Sequence, residues 1–276
     1  MSATPLAEGQ PLTPGMTFPD MPCTITQEQQ EQKLACCGLD PALHGDRIDI
    51  TQLAYTAILA VRNAGFSING RVHMAQVFDL REPLFLGEPL TVRGETLSVT
   101  RKPRGHVEES RFDFLRPDGS IPLSTRRSSL LIDPAADVDA KAGGAARPSR
   151  DPCEGMTLIA RHRLVPEQVA AYSGEAENLI HSDPETAQRF GFRAPIAAGL
   201  MAVHFMMAAL CRPAPPDRLR MSIRFRRPMF WDEELAVWSR ETGGAIAALA
   251  VINPDGKVAN DAVVDETGYG GGTSAC

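Results

Sequence analysis

The sequence predicts an α+β chain made of two copies of one unit, each a long helix followed by antiparallel strands. Three observations predict it. First, residues 81–92 (Arg-Glu-Pro-Leu-Phe-Leu-Gly-Glu-Pro-Leu-Thr-Val) align without a gap on 226–237 (Arg-Arg-Pro-Met-Phe-Trp-Asp-Glu-Glu-Leu-Ala-Val). Arg81, Pro83, Phe85, Glu88, Leu90 and Val92 match Arg226, Pro228, Phe230, Glu233, Leu235 and Val237. Second, Pro-Asp-Gly follows each copy, at 117–119 and 254–256, between alternating apolar runs. That tripeptide is a hairpin signal, and two echoes in the same order indicate duplication. Third, an apolar helical stretch precedes the strand-like segments in each half.

In the first half, Thr26 caps a helix expected over 27–38. A second helix is expected over 51–63, with Leu53, Ala54, Ala57, Ile58 and Val61 at helical spacing. Period-2 strands follow at 72–80, 90–99, 107–114 and 121–132. In the second half a short strand closes at Arg163, and Pro166 opens a helix to about Ser173. Asp183 is the expected N-cap of a short helix over 184–190. Residues 196–210 are almost wholly apolar and predict a buried central helix. Strands are expected at 221–226, 234–241, 245–253 and 258–264. The predicted division is a first unit over 15–133, a linker over 134–152 rich in Ala, Gly, Asp and Pro, and a second unit over 153–266. The start, to Pro14, and the Gly-rich tail over 267–276 are expected to be mobile.

The charge balance is −6, so a broad basic footprint for nucleic acid is not expected. No run reaches the ~18–20 apolar residues that span a bilayer, and the first twenty residues lack a secretory pattern. Six cysteines (23, 36, 37, 153, 211 and 276) have no CxxC or zinc-like spacing. Reduced thiols in the cytoplasm, no metal and no separate cofactor are the expectation.

Residues 172–201 concentrate the chemistry. Tyr172-Ser173-Gly174-Glu175-Ala176-Glu177-Asn178-Leu179-Ile180-His181 brings two carboxylates, a carboxamide and an imidazole together. Pro195-Ile196-Ala197-Ala198-Gly199 then leads into the apolar helix. A histidine near a carboxylate titrates close to neutral pH and can take a proton from water and return it. Backbone N–H groups at a helix start stabilise a developing enolate oxygen. Together these are what addition of water to a polarised C=C bond requires. Arg193, Arg224 and Arg226 suit bidentate contact with phosphate, or with a carboxylate on the substrate.

This stretch resembles the signature of the MaoC-like, (R)-specific enoyl-CoA hydratases of the hotdog fold, Tyr-Ser-Gly-Asp-x-Asn-Pro-x-His followed by Pro-Ile-x-His-Gly. Two such units resemble the double-hotdog members. The resemblance implies a hydro-lyase acting on a 2-enoyl-CoA thioester. The acyl group would be a C5 dicarboxylate of itaconyl or mesaconyl type, or a medium-length chain. His181 would be catalytic, the Gly199 N–H would hold the thioester oxygen, and Asn178 would orient substrate or water. Tyr172, Ile196 and Ala198 would contact substrate, and Ala198 stands where the family has histidine.

The family's aspartate falls on Glu175 when counted from Tyr172, and on Ala176 when counted back from His181, because one extra residue lies between. Glu175 is the expected acid, with Glu177 behind it. The first half has no such loop. Its His44 reads as an ordinary loop residue, and this half is expected to complete the sheet and shape the acyl pocket. A homodimer is implied by the family. A thioesterase using Glu175, or an acyl-CoA-binding module without catalysis, are the other readings.

Overall fold

The computed structural model describes residues 9–136, 153–270 and 272–275. Most of the expected linker therefore lies outside the described residues. The first half runs β1 (Met21–Cys23), α1 (Gln27–Cys36), a 3₁₀ turn (Pro41–His44) and α2 (Ile50–Asn63). It continues with β2 (Arg71–Leu80), β3 (Leu90–Lys102), β4 (Gly105–Leu115) and β5 (Leu123–Ile132). The second half runs β6 (Thr157–Arg163), α3 (Pro166–Ser173), α4 (Pro184–Arg189) and α5 (Gly199–Leu210). It ends with β7 (Arg218–Phe225), β8 (Glu234–Thr242), β9 (Ala245–Ile252), β10 (Val258–Tyr269) and β11 (Gly272–Ala275).

All strands join one antiparallel sheet in the order β1-β3-β4-β5-β2-β7-β10-β9-β8-β6, with β11 on β10. Read outward from the centre, β2-β5-β4-β3-β1 is repeated by β7-β10-β9-β8-β6. The halves meet where β2 pairs β7, Ala75 opposite Arg224 through Leu80 opposite Leu219. This is the duplicated α+β arrangement expected from the sequence. The matched residues do matched work. Glu88 Oε2 accepts the Phe85 N–H at 3.1 Å, and Glu233 Oε2 accepts the Phe230 N–H at 3.0 Å. Leu90 and Val92 are buried on β3, as are Leu235 and Val237 on β8. Gly119 and Gly256 supply the positive φ, 85° and 71°, that the β4–β5 and β9–β10 turns need.

The two long helices share one core. Leu53, Ala54, Ala57 and Val61 of α2 are buried in the same cluster as Leu200 through Val203 and Phe205 through Met207 of α5. Each fully buried Leu, Phe or Met contributes roughly 1.5–3 kcal/mol. Three expectations change. The central helix starts at Gly199, because Ile196 bridges Phe230 and the Ala197 N–H donates to Met229 O at 2.7 Å, holding 196–198 extended. Gln10 and Leu12, expected to be mobile, are tied down, with the Leu12 N–H on Glu108 Oε1 at 2.8 Å and Gln10 O accepting from Arg71 at 2.6 Å. Where a mobile tail is expected from Thr267, β10 continues to Tyr269 and β11 pairs back onto it. The short strands β1 and β11 were not anticipated.

Candidate active site

A cavity of about 190 Å³ opens at the start of α5. Its walls come from the 178–181 loop, the 196–199 approach to α5, the inner faces of β2 and β5, and Tyr55 and Ile58 of α2. Both halves therefore build it. His181, Asn178, Ile196, Ala198, Gly199 and Arg226, all singled out in the sequence, line it together.

His181 lies in a 3₁₀ turn (Leu179–His181) and is 9% exposed. Its Nδ1 is 2.7 Å from Ile196 O, which must accept, so the proton resides on Nδ1 and Nε2 carries the lone pair. Asn178 Nδ2 lies 3.3 Å from Nε2 and 3.4 Å from Arg71 O, so the amide nitrogen donates to both. That orientation leaves Asn178 Oδ1 buried and without a partner among the described residues. Burial pulls the imidazole down to about 4, partly opposed by the bond to Ile196 O. Titration near neutrality is thus corrected: no carboxylate sits beside the ring, and His181 is a neutral base at neutral pH.

At the start of α5, Ala198 holds the N-cap position and offers no side-chain acceptor. The first N–H groups of the helix therefore lack a capping side chain and carry the positive end of the helix dipole. Glycine at 199 is required by packing, since a Cβ there would lie 2.7 Å from Phe225 Cδ1.

The expected acid is not in the cavity. Ser173 ends α3, a 3₁₀ turn (Gly174–Ala176) follows, and Glu177 adopts a left-handed φ of 53°. This path turns Ala176 into the cavity wall, 4% exposed, and Glu175 outward. Glu175 is 62% exposed on its side chain and sits 3.3 Å from Lys33 Nζ. Glu177 is 58% exposed and pairs with Arg62. Of the two counts, the one back from His181 falls on a residue in the cavity wall, Ala176, and the one from Tyr172 falls on a surface residue, Glu175. Among the described residues, no Asp or Glu lines the cavity.

Three further assignments are corrected. Tyr172 is fully buried behind the site, its hydroxyl 3.0 Å from His204 Nε2, and does not line the cavity. Arg193 stacks over the Phe230 ring at 3.7 Å and pairs with Glu233 at 3.0 Å. Arg224 is exposed on β7 away from the lining. Arg226 does reach the cavity, but its guanidinium is held bidentate by Asp261.

The cavity also contains Arg71, His73 and Arg127, which the sequence does not mark as site residues, together with Arg104 from a solvated hairpin and Arg227 beside Arg226. His73 on β2 lies tilted against Phe225, ring centroids 4.5 Å apart, and burial with Arg127 nearby pulls it down to about 3. On alternating strands Arg71, His73 and Arg127 read as solvent-facing, and only the Arg-x-His spacing at 71–73 placed two of them on one face. Chemically, the site joins two neutral imidazoles, His181 and His73, with uncapped helix N–H groups, a free amide oxygen and a basic wall.

No family model matches the chain, and no curated protein matches it significantly. Solved structures do. HtdX from Mycobacterium tuberculosis matches with a TM-score of 0.72 at 20% identity, over 92% of this chain and 99% of that one. A MaoC-like dehydratase from Phytophthora capsici matches with a TM-score of 0.64 at 18% identity, over 91% and 95%. A second M. tuberculosis protein, described as having a double hotdog fold, matches with a TM-score of 0.63 at 13% identity, over 93% and 98%. The likeness establishes the α+β double-hotdog fold.

Proposed function

We propose that the chain is a hydro-lyase that reversibly adds water across the C=C bond of a short 2-enoyl-CoA thioester, with His181 as its single acid/base group. One observation carries the reading: the unprotonated Nε2 of His181 and the uncapped start of α5 face the same cavity. In the addition, water displaces the Asn178 amide from His181 Nε2, its oxygen bonds to C3, and Nε2 takes one of its protons. The C=C electrons move onto the thioester oxygen, held by the Gly199 N–H, and a donor of this kind is worth about 3–4 kcal/mol. The enolate collapses, and the imidazolium returns its proton to C2. One water is consumed, both of its fragments are added, and His181 ends neutral. No other cofactor is needed.

The exposed Arg104 and Arg227 at the mouth suit the phosphates of coenzyme A. The cavity is not far above the ~150 Å³ that holds one benzene ring. That favours an acyl group of crotonyl, itaconyl or mesaconyl size over a medium-length chain. A homodimer in the cytoplasm completes the proposal. The unbridged thiols Cys23, Cys36, Cys37 and Cys211 support the compartment, and the homodimer rests on the family resemblance alone. Among the described residues no helix is long and apolar enough to cross a membrane.

Ala176 favours a second reading, an acyl-CoA-binding module without turnover, since the dyad's carboxylate is missing. The thioesterase reading loses its carboxylate with Glu175 on the surface. Crotonyl-CoA and itaconyl-CoA, followed for enoyl absorbance and free thiol together, separate the three. Loss of absorbance without thiol is expected. In His181→Ala the rate should fall by about 10²–10⁴-fold, and an unchanged rate would remove His181 from the mechanism.

A further inference from the structure

We propose that Arg127 receives a carboxylate at the far end of the acyl group, so that the site selects short acyl thioesters that are themselves acids. The inference rests on the thioester site proposed above and adds its specificity residue.

Arg127 lies on β5 and is 6% exposed, yet it lines the same cavity as His181 and Gly199. It has no carboxylate of its own, only a share of the field of Glu108. The neighbouring Arg71 is engaged by Glu108, Nε to Oε2 at 2.9 Å and a second nitrogen to Oε1 at 3.2 Å. Arg226 is engaged by Asp261. Arg127 has one hydrogen bond, donated to Ser129 Oγ at 2.6 Å, and its buried Nε has no partner among the described residues. Two buried guanidinium groups thus share one carboxylate. An uncompensated buried charge is costly unless something pairs with it.

Nothing in the wall offers relief. Burial draws Arg127 down to about 10, with Glu108 opposing and Arg71 reinforcing the shift, so it stays protonated at neutral pH. His73 is neutral beside it. Glu108 is shared with Arg71, and no Asp or Glu lines the cavity itself, so a ligand carboxylate would give Arg127 a partner of its own. The exposed arginines Arg104 and Arg227 are available to coenzyme A phosphates, whereas Arg127 is buried in the wall that also holds His181 and Gly199. A planar guanidinium with free N–H groups fits a carboxylate bidentately.

Two saturated four-carbon thioesters, which cannot be hydrated, test this apart from turnover. Succinyl-CoA ends in a carboxylate and butyryl-CoA in a methyl. By calorimetry, wild type should bind succinyl-CoA about ten- to a hundredfold more tightly. Arg127→Met should bring the two affinities together, with a melting curve confirming its fold. If that variant does not fold, Arg127→Lys keeps the charge but not the paired N–H groups and should narrow the preference. Equal wild-type affinities, or a preference that survives in Arg127→Met, would overturn the assignment while leaving the thioester site intact. Wild type binding neither thioester would overturn the thioester site itself.

Discussion

The two central helices begin in the same setting and end it differently. In each half a histidine from a 3₁₀ turn precedes the helix start, His44 before α2 and His181 before α5. At α2 the N-cap is Asp49, fully buried, whose carboxylate accepts the Thr51 N–H at 2.9 Å. It also lies 2.7 Å from His204 Nδ1 and 3.4 Å from His44 Nε2. Burial raises Asp49, but His204, His44 and these hydrogen bonds outweigh it and hold the carboxyl below its usual range. The void left beside His44 is about 10 Å³. At α5 the N-cap is Ala198, nothing caps the helix, and the cavity is about 190 Å³. One side chain at equivalent positions separates a sealed helix start from an open one. The first half carries its own anion where the second awaits one from a ligand. His44 is accordingly a buried partner of Asp49 rather than a simple loop residue.

The comparison can be broken at its closed end first. Asp49→Ala removes an anion that two histidines and a helix start depend on, and urea unfolding should show a loss of about 3–5 kcal/mol. A loss under about 1 kcal/mol would mean that the network is not holding the halves together.

The next effect in size is pH dependence at the open end. His181 titrates at about 4 when folded and near 6.5 when unfolded. Between those values the unfolded chain binds more protons. The contribution is therefore full above pH ~6.5 and is lost as pH falls toward 4, by about 3 kcal/mol. His73, also held neutral by burial, loses stability in the same window, so His181→Gln should lessen the slope without abolishing it, and His73→Gln with it should flatten the curve.

Transplanting the closed end sharpens the contrast further. Ala198→Asp should cap α5 and raise stability by about 1 kcal/mol, while its carboxylate takes the ligand's place and thioester binding is lost. Retained binding would show that the open helix start is not the receptor. The smallest effect is expected at Glu175→Gln. An ion pair so exposed on one side is worth under about 1 kcal/mol, and the hydration rate should not move. A large drop in rate would return Glu175 to the chemistry.

The double unit, its hairpins and its buried helix were legible because each rests on local periodicity and turn chemistry, which a linear pattern records. Asn178, His181, Ile196, Ala198 and Gly199 were legible because short spacings around two turns keep them together in almost any packing. Glu175 was not. One extra residue makes two registers equally good on paper. The path through the 174–176 turn and the left-handed Glu177 then turns Ala176 inward and leaves Glu175 to Lys33. Arg127 was hidden for a related reason. On a strand an arginine reads as solvent-facing, and only the pairing of β5 with both β4 and β2 sets Arg127 beside Glu108 and Arg71. The sequence by itself determined the duplicated framework and the histidine that lies near the start of its second long helix. Only the tertiary structure decided which acids lie outside the cavity and which arginine in its wall has no carboxylate of its own, because side-chain direction at a turn and charge pairing across a sheet are set by contacts between segments.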